Sequence, residues 1–329
     1  MRRIALFATI GILVFASCNK KKADTTASEE TSTVTERKCA SYEVLQDQLR
    51  ADPSLQKRMN EIEAFTARYA QNPSAFRVSN DTLYLPVWVN VLYKTTAQNI
   101  SNAQIQSQID VLNEDFAALN ADYTNTPSIF TGVRSGNIKI KFVWSSANVT
   151  RKSTTKTSWR TDDSMKKNSK GGIDPTSPTT TLNLWSCNLA NGILGYAQFP
   201  GGSSATDGVV ILYSAFGSRA KYPGGTYVST YDLGRTATHE VGHWFNLRHI
   251  WGDATCGNDQ VGDTPAHNTA NYGCPSYPHL STCSGTPVEM TMNYMDYTND
   301  ACMYMFTAGQ ATRMQATYAV GGPRAGLRP

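Results

Sequence analysis

The sequence lacks the charge imbalance expected of a nucleic-acid-binding protein or a charged scaffold. Its 30 lysines and arginines against 26 aspartates and glutamates leave a net charge of +4, and no basic run carries interleaved aromatic residues. We therefore expect no nucleic-acid partner. A hydrophobic content of 40% is typical of a globular chain, and 329 residues allow one large domain or two modest ones.

The N-terminus lacks an apolar run long enough to cross a bilayer. Two arginines precede a mostly apolar stretch, residues 4–16, which suits a signal peptide better than a transmembrane helix. Its end, Phe-Ala-Ser-Cys at residues 15–18, resembles a bacterial lipoprotein signal in which Cys18 becomes the lipidated first residue. Ordinary secretion is the alternative. We expect an exported protein, anchored to a membrane only through a lipid at Cys18, in a compartment that permits disulfides.

Residues 239–249 read HEVGHWFNLRH and form a candidate metal site. His239 and His243 are four residues apart, so a helix would place both imidazoles on one face, one turn apart. Glu240 follows the first histidine, an arrangement typical of zinc hydrolases in which the glutamate is the general base. His249 adds a third nitrogen and would leave a fourth position on the metal open for water.

Hydrophobic periodicity predicts strands and helices in alternation along the chain. Strands are predicted at residues 83–93, 138–144, 182–185, 194–199 and 208–213, and helices at about 40–72, 101–119, 233–246 and 308–319. Ser101 with Gln104, and Thr307 with Gln310, should form capping boxes. Residues 145–181 are polar and predicted mostly as loop. This order suggests a twisted sheet backed by two helices, one of which carries the metal motif.

The motif resembles that of the metzincin metalloproteases, HExxHxxGxxH followed later by a Met-turn, which appears here as Asn-Tyr-Met-Asp-Tyr at residues 293–297. The chain is most similar to the pappalysins, particularly their small microbial members, at residues 88–93, 194–202 and 207–210. The resemblance covers about residues 80–319. It implies an α+β fold: a twisted mixed β-sheet with a backing helix and an active-site helix, then an irregular disulfide-stapled C-terminal subdomain ending in a helix.

Asn246 stands where the clan pattern has glycine. Asparagine tolerates the left-handed conformation better than other non-glycine residues, so we expect it to end the metal helix. The chain reversal at this point would return His249 toward the two helical histidines.

The resemblance implies roles for the residues of this centre. The zinc ligands would be three neutral imidazoles, those of His239, His243 and His249. Glu240 would take a proton from the zinc-bound water and pass it to the leaving amine. Met295 would be the Met-turn residue beneath the zinc. Tyr297 would donate its hydroxyl to the oxyanion of the tetrahedral intermediate, although an ordinary half-buried tyrosine is the alternative.

Seven cysteines need placing. From the residues alone the last four allow three pairings, of which the family pattern implies Cys256–Cys283 and Cys274–Cys302. Cys39, in an Arg-x-Cys setting, resembles a cysteine switch whose thiolate fills the open zinc position and keeps a zymogen silent. A Cys39–Cys187 disulfide or a spare thiol is the alternative, and Cys187 is otherwise interpreted as a small buried hydrophobe.

Acidic residues suggest two further features. Asp300 matches the acidic residue that lies, in the small microbial pappalysins, in the pocket for the residue after the scissile bond. A carboxylate there would pair with arginine and less well with lysine, whereas the residue alone indicates a turn aspartate. The loop at residues 253–264 clusters hard oxygen ligands that suit calcium, with Asp259, Asp263 and Thr264 as candidates and a plain solvated turn as the alternative.

Together these features predict an exported zinc endopeptidase made as a zymogen. We expect a lipoprotein-type signal peptide at residues 1–17, a tether and pro-segment at 18–76 and a catalytic domain at 77–329, with a subdomain boundary at about 249–250. The protein is expected to be a monomer. Two alternatives are a surface binding protein that keeps the zinc fold without turnover, and a zinc hydrolase acting on non-peptide bonds.

The expected partners are protein or peptide substrates. They would be held in an extended conformation against an edge strand near residues 194–197, by strand addition. If Asp300 sets the specificity, the Phe76–Arg77 bond is a candidate site of autolytic activation.

Overall fold

The computed structural model describes residue 1, residues 34–76 and residues 82–328. The predicted signal peptide, the lipidation at Cys18, most of the tether and Arg77 lie outside the described residues. From residue 32 onward the chain clusters as one compact unit. In the described part of the chain, no helix has the length and apolar character needed to cross a membrane.

A six-stranded sheet forms the centre of the fold, in the order β2-β1-β4-β6-β5, with β3 also pairing with β1. The strands are β1 (Leu83–Tyr93), β2 (Ile140–Val143), β3 (Val149–Ser153), β4 (Leu182–Cys187), β5 (Gly195–Ala197) and β6 (Val209–Leu212). Paired strands are parallel except β5, which runs antiparallel to β6 at the end of this order. The predicted mixed sheet is confirmed.

Strand β3 was not predicted, because residues 145–181 were interpreted as mostly loop. Its sequence, Val-Thr-Arg-Lys-Ser, has a single apolar residue, and none of its side chains is fully buried. A strand without an apolar face gives no alternation to detect. It forms because the second half of β1 offers a free backbone edge from Val89 to Tyr93.

Within the described ranges, five α-helices accompany the sheet. They are α1 (Ser41–Ala51), α2 (Ser54–Gln71), α3 (Asn102–Ala117), α4 (Arg235–Trp244) and α5 (Ala308–Tyr318). The apolar stripe predicted for α3 is buried from Ile105 to Phe116, but Leu119, predicted as its last member, is 74% exposed. The prediction is wrong there because Ala118 adopts a left-handed conformation (φ 55°), which ends the helix and turns Leu119 away from the stripe.

The two predicted capping boxes differ in the structure. At α5 both halves are present, because Thr307 accepts from the backbone of Gln310 and the Gln310 side chain accepts from the backbone of Thr307. At α3 Ser101 accepts from Gln104 N, but the Gln104 amide donates to Phe216 O (2.8 Å) instead of returning to the cap. Only half of that capping box is formed, because the Gln104 side chain bonds to Phe216, a residue distant in the sequence.

The N-terminal segment (residues 34–76) packs on the remainder of the unit through α1 and α2. Leu55 and Met59 belong to one apolar cluster with Phe199, and further along α2 Phe65 and Tyr69 belong to a second cluster with Ala316 and Ala319, at the end of α5. The segment is therefore bound through two apolar contacts on the same helix.

Between α4 and α5 the described chain contains no α-helix and no β-strand, only irregular structure and a short 3₁₀ turn. Two disulfides cross this region, Cys256–Cys283 and Cys274–Cys302, with Cα–Cα distances of 5.7 Å and 5.6 Å. The pairing implied by the family resemblance and the irregular stapled subdomain are both confirmed. Cys39 and Cys187 are unpaired and buried, so the alternative disulfide between them is not formed.

Candidate metal centre and active site

Helix α4 and the turn that follows it bring three histidines together. His239 and His243 lie on one face of α4, and Asn246 follows the helix in the left-handed conformation (φ 73°). Leu247 N donates to Gly242 O (3.0 Å), which closes the turn and directs the chain back. His243 Nε2 then lies 3.1 Å from Nε2 of both His239 and His249. The predicted reversal at Asn246 is present.

Each histidine uses its other ring nitrogen to hold its orientation. Nδ1 of His239 lies 2.7 Å from Tyr294 O, and Nδ1 of His243 lies 2.7 Å from Leu247 O. Nδ1 of His249 lies 2.5 Å from Asp253 Oδ1. Protons on the Nδ1 atoms leave the converging Nε2 atoms as bare acceptors, which is the form that binds a metal.

The donor set fits zinc. Three Nε2 atoms at the corners of a tetrahedron around zinc would be about 3.3 Å apart, since Zn–N bonds are roughly 2.0–2.1 Å. Burial, followed by the neighbouring imidazoles, lowers the pKa of both His239 and His243 well below the usual value, so these rings stay neutral. Three ring nitrogens this close together, with no donor between them, indicate a cation site.

The thiol of Cys39 completes the cluster. Its Sγ and one ring nitrogen of each of the three histidines all lie within 4.8 Å of one another, and all four residues are buried. Among the described residues this is the one group of three or more histidine, cysteine or acidic side chains placed to hold a metal. The N-terminal segment therefore supplies the fourth candidate ligand.

Glu240 lies beside this cluster and is fully buried. Its Oε2 accepts from Ser41 Oγ (2.8 Å) and lies 3.3 Å from Cys39 Sγ. Burial raises the pKa of Glu240 to about 7, against the smaller opposing effect of the hydrogen bonds from Ser41 and Cys39. Gly195 of β5 makes room for it, because a Cβ there would lie 2.8 Å from Glu240 Cγ. Both hydrogen-bond partners of Glu240 come from the N-terminal segment.

Met295 forms the floor of the centre, as the Met-turn resemblance implies. Its sulfur approaches α4 at Gly242, where a Cβ would lie 2.6 Å from Sδ, so only glycine fits. Met295 O accepts from Ile250 N (3.1 Å), which joins the Met-turn to the segment that carries His249. Met295 itself is fully buried.

Tyr297 lies on the side of the centre that faces Cys39. Its hydroxyl donates to Cys39 O at 3.1 Å, and its ring contacts that of His249 at 4.9 Å. Trp251 stacks on His249 at 4.3 Å with an interplanar angle of 6°. The Tyr297 hydroxyl thus points at a peptide carbonyl beside the cluster of candidate zinc ligands.

Asp300 is buried and forms an ion pair with Arg37. Arg37 Nη2 donates to Asp300 Oδ1 (2.6 Å), while Oδ2 accepts from the backbone of Leu233 (2.9 Å) and Arg235 (3.1 Å). Arg37 also donates through Nε to Thr298 O (3.1 Å). Both charged side chains are almost completely buried, at 1% and 0% exposed. An arginine two residues before Cys39 is therefore paired with the carboxylate that was predicted to lie in the specificity pocket.

Of the three candidate calcium ligands, Asp259 and Thr264 are hydrogen-bonded to each other, whereas Asp263 forms its hydrogen bonds elsewhere. Thr264 Oγ1 donates to the carboxylate of Asp259 (2.9 Å), whose Oδ1 also accepts from Val261 N (3.0 Å). Asp263 instead caps α5, accepting from Thr307 Oγ1 (2.6 Å) and Gly309 N (2.7 Å). The sequence could not separate these two uses of an aspartate, because both place carboxylates among turn residues.

Two residues next to the centre were not assigned to it from the sequence. Asp253, which was grouped with the calcium loop, bonds to His249, and Trp251 covers the same ring. The four-residue spacing between His249 and Asp253 is the only sequence feature that could have indicated this contact. It indicates a contact only when the chain reversal after α4 is already known. The pair resembles the carboxylate–histidine arrangement that orients metal ligands.

We expect Asp253→Asn to weaken zinc binding roughly 10-fold or more, because the amide orients and polarises His249 less strongly than the carboxylate. Competition with a chromogenic chelator measures the dissociation constant directly. Asp110→Asn, on α3 beside Gln106, is the matched control and should leave it unchanged. An unaltered zinc dissociation constant in Asp253→Asn would contradict this role.

Zinc metalloproteases of the metzincin class share this arrangement: two histidines and a glutamate on one helix, a third histidine after a turn, and a methionine packed against that helix. The pregnancy-associated plasma protein-A family model matches residues 181–319. An extracellular metalloprotease of Pyricularia oryzae is 34% identical over 246 residues, covering 72% of this chain and 75% of that protein. One of Podospora anserina is 33% identical over 279 residues, covering 80% and 83%. The chain belongs to the pappalysin family of metalloproteases.

Solved structures agree with this membership. A mutant of Tannerella forsythia promirolysin is 42% identical and superimposes with a TM-score of 0.79, covering 89% of this chain and 97% of that chain. Mature mirolysin of the same organism, in complex with a cleaved peptide, is 45% identical with a TM-score of 0.71, covering 76% and 97%. The likeness to promirolysin covers more of this chain than the likeness to the mature enzyme.

Proposed function

We propose that the chain is the zymogen of an exported zinc endopeptidase, in which the N-terminal segment keeps the active site closed. One observation carries the proposal: three imidazole nitrogens, a buried glutamate and the Cys39 thiol converge, and the thiol arrives from the segment. A thiolate is an excellent zinc ligand and would occupy the position needed by water. The likeness to promirolysin supports latency.

His239, His243 and His249 would hold the zinc through Nε2. The metal, when bound, supplies a Lewis acid that lowers the pKa of water and polarises a carbonyl. Glu240 takes the proton of the attacking water and delivers it to the leaving amine. Tyr297 donates its hydroxyl to the developing oxyanion, a role supported by the peptide carbonyl of Cys39 that the hydroxyl contacts here.

Strand β5 is the proposed substrate-binding edge. The N-terminal segment already pairs with it: Leu194 N donates to Lys38 O (2.9 Å), Ala40 N donates to Gly195 O (3.1 Å), and Cys39 and Gly195 form a parallel bridge. An extended substrate would add to the same edge once the segment leaves. The segment therefore competes with substrates for the same backbone groups.

Asp300 is proposed to select arginine, and less well lysine, after the scissile bond. The support is Arg37, which fills the pocket in the latent chain with its guanidinium on the carboxylate. The same preference would direct activation to the Phe76–Arg77 bond, whose second residue lies outside the described residues. Removal of residues up to about 76 would release Arg37 and Cys39 together.

Asp300→Asn should lower kcat/KM for peptides with arginine after the cut about 10-fold relative to matched methionine peptides. This 10-fold decrease in kcat/KM corresponds to the loss of one charge-assisted hydrogen bond, which contributes roughly 1.5 kcal/mol. Asparagine still accepts from Leu233 and Arg235, so the pocket should keep its shape. An unchanged ratio of the two rates would refute the specificity role.

The proposed function is tested by digesting a peptide library with the full chain and with the chain processed after residue 76. Cleavage is expected only after processing, it should be lost with a zinc chelator, and it should return when zinc is added back. Cleavage that survives chelation would refute the mechanism. Bound zinc without cleavage of any arginine-containing peptide would favour the alternative of a silent surface binding protein.

We make three further proposals, which concern export and lipidation, calcium binding and the oligomeric state. Export is supported by relatives that are named extracellular metalloproteases, whereas the lipid on Cys18 rests on sequence alone. Mass spectrometry of the N-terminus of protein purified from the cell envelope would test the lipidation. A mature chain that begins at Ser17 or Cys18 without a lipid would refute it.

Calcium binding in the 253–264 loop is supported by the contact between Asp259 and Thr264, whereas Asp263 forms hydrogen bonds at the start of α5. A monomer stays a prediction.

A further inference from the structure

Glu63, on α2 of the N-terminal segment, contacts two arginines of the catalytic part of the chain, Arg313 and Arg248. Arg313, on α5, donates through Nη1 to Glu63 Oε2 (2.8 Å) and through Nη2 to Oε1. Arg248 Nη2 lies 3.5 Å from Oε1. Burial opposes the charge of Glu63, but the hydrogen bonds and charge of Arg313, followed by those of Arg248, hold the pKa of Glu63 below its usual value.

Arg313 is fixed in place by contacts that do not involve the N-terminal segment. Its Nε donates to Asn246 O (2.6 Å), the carbonyl of the turn between the metal ligands. Asp259, the carboxylate whose charge Arg313 also influences, forms its hydrogen bonds with Thr264 and Val261. The hydrogen bond to Asn246 O orients the guanidinium of Arg313 so that its two Nη atoms form a fork for a carboxylate.

The position of this pair relative to the scissile bond follows from the path of the N-terminal segment. Arg37 pairs with Asp300, Cys39 lies beside the three histidines, and the chain continues from Cys39 into α1 and α2. On α2, Met59 belongs to the same apolar cluster as Phe199, whose ring lies 5.4 Å from that of His243, and Glu63 follows one helical turn later. If the Asp300 pocket takes the residue after the cut, the arginine pair lies beside residues before it.

We propose that Arg248 and Arg313 form a carboxylate-binding subsite of the processed enzyme, which favours substrates with an acidic side chain on the N-terminal side of the scissile bond. Glu63 fills this subsite in the latent chain. The inference rests on the proposed function and deepens it, because it adds an acidic requirement to the preference for arginine after the cut. A substrate carboxylate replaces Glu63 and accepts the hydrogen bonds that Glu63 accepts from Arg313 in the latent chain.

The test uses the processed chain and pairs of peptides that share an arginine after the cut. Each pair carries glutamate or glutamine at one position between the third and the eighth before the bond. At one or two neighbouring positions the glutamate peptide should be cleaved with roughly 3- to 10-fold higher kcat/KM, mainly through KM, as expected for a partly exposed charge pair. The preference should shrink as salt is raised, because exposed charges are screened.

Two variants assign the preference to this pair. Arg248→Gln should reduce the glutamate-to-glutamine ratio, and Arg313→Lys, which keeps the charge but loses the fork, should do the same. The ratio is internal to each enzyme preparation, so a loss of folded or zinc-loaded protein does not change it. Arg160→Gln, at an exposed position outside the cluster, removes the same charge and should leave the ratio as in the wild type.

The outcomes separate the inference from the proposed function. Equal cleavage of both peptides at every position would overturn the subsite and leave the endopeptidase standing. A preference that persists in both Arg248→Gln and Arg313→Lys would also overturn it. No cleavage of any peptide by the processed wild type would refute the proposed function, and the subsite with it.

Discussion

Glu240→Gln should reduce kcat of the processed enzyme on the order of 1,000-fold while the protein still binds zinc. General-base catalysis contributes roughly 10²- to 10⁴-fold, and glutamine cannot take a proton from water. The amide has the same shape as the carboxylate, so it fits the narrow space beside Gly195, where larger side chains would collide. Three measurements on the same preparation check this result. Peptide cleavage rates give kcat, zinc content shows that the metal is bound, and thermal unfolding shows that the protein is folded.

The matched control is Glu114→Gln, a half-exposed glutamate on α3 that pairs with Lys221. It removes one carboxylate from the surface and should keep full activity. A Glu240→Gln enzyme that retains more than about a tenth of the wild-type kcat would exclude Glu240 as the general base. The same variant tests activation: if its N-terminus is still processed at the wild-type rate, self-cleavage at the Phe76–Arg77 bond is wrong.

The spacing of the metal motif predicted much of the centre. A separation of four residues requires His239 and His243 to share a face, and asparagine's tolerance of positive φ predicted the turn at Asn246, observed at φ 73°. Burial of the apolar positions of α3 followed from its 3–4 residue period. These are local properties, set by neighbours within one or two helical turns. They could be predicted from a single sequence.

Long-range pairs could not be predicted in the same way. Arg37 and Asp300 are 263 residues apart and Glu63 and Arg313 are 250 apart, so no periodicity relates the partners. Ser41, whose hydroxyl bonds to Glu240, has no sequence signal that distinguishes it from other serines at the start of a helix. The family resemblance predicted a specificity pocket at Asp300 and a cysteine switch at Cys39, but it did not predict Arg37 or Ser41 as partners of Asp300 and Glu240.

Removing the switch thiol should activate the full chain without processing. In Cys39→Ala, peptide cleavage by the unprocessed protein should rise on the order of 100-fold. Losing a contact to a charged partner costs about 1.5–3 kcal/mol, and each 1.4 kcal/mol changes the open fraction tenfold. The rise stays below full activity because Arg37 on Asp300 and Glu63 on Arg313 still hold the segment. The assay is best made with Arg77→Ala present, which removes the arginine after the proposed activation bond.

Cys187→Ala is the control, since Cys187 is, with Cys39, one of the two unpaired buried cysteines among the described residues, and it lies in β4. It should leave the full chain latent, and any destabilisation it causes would appear in thermal unfolding without a rise in cleavage. A Cys39→Ala chain as silent as the wild type would mean that the segment blocks the cleft by occupying β5 and the Asp300 pocket alone. Because Ser41 still bonds to Glu240 in that variant, adding Ser41→Ala should raise cleavage further if both contacts restrain the catalytic groups.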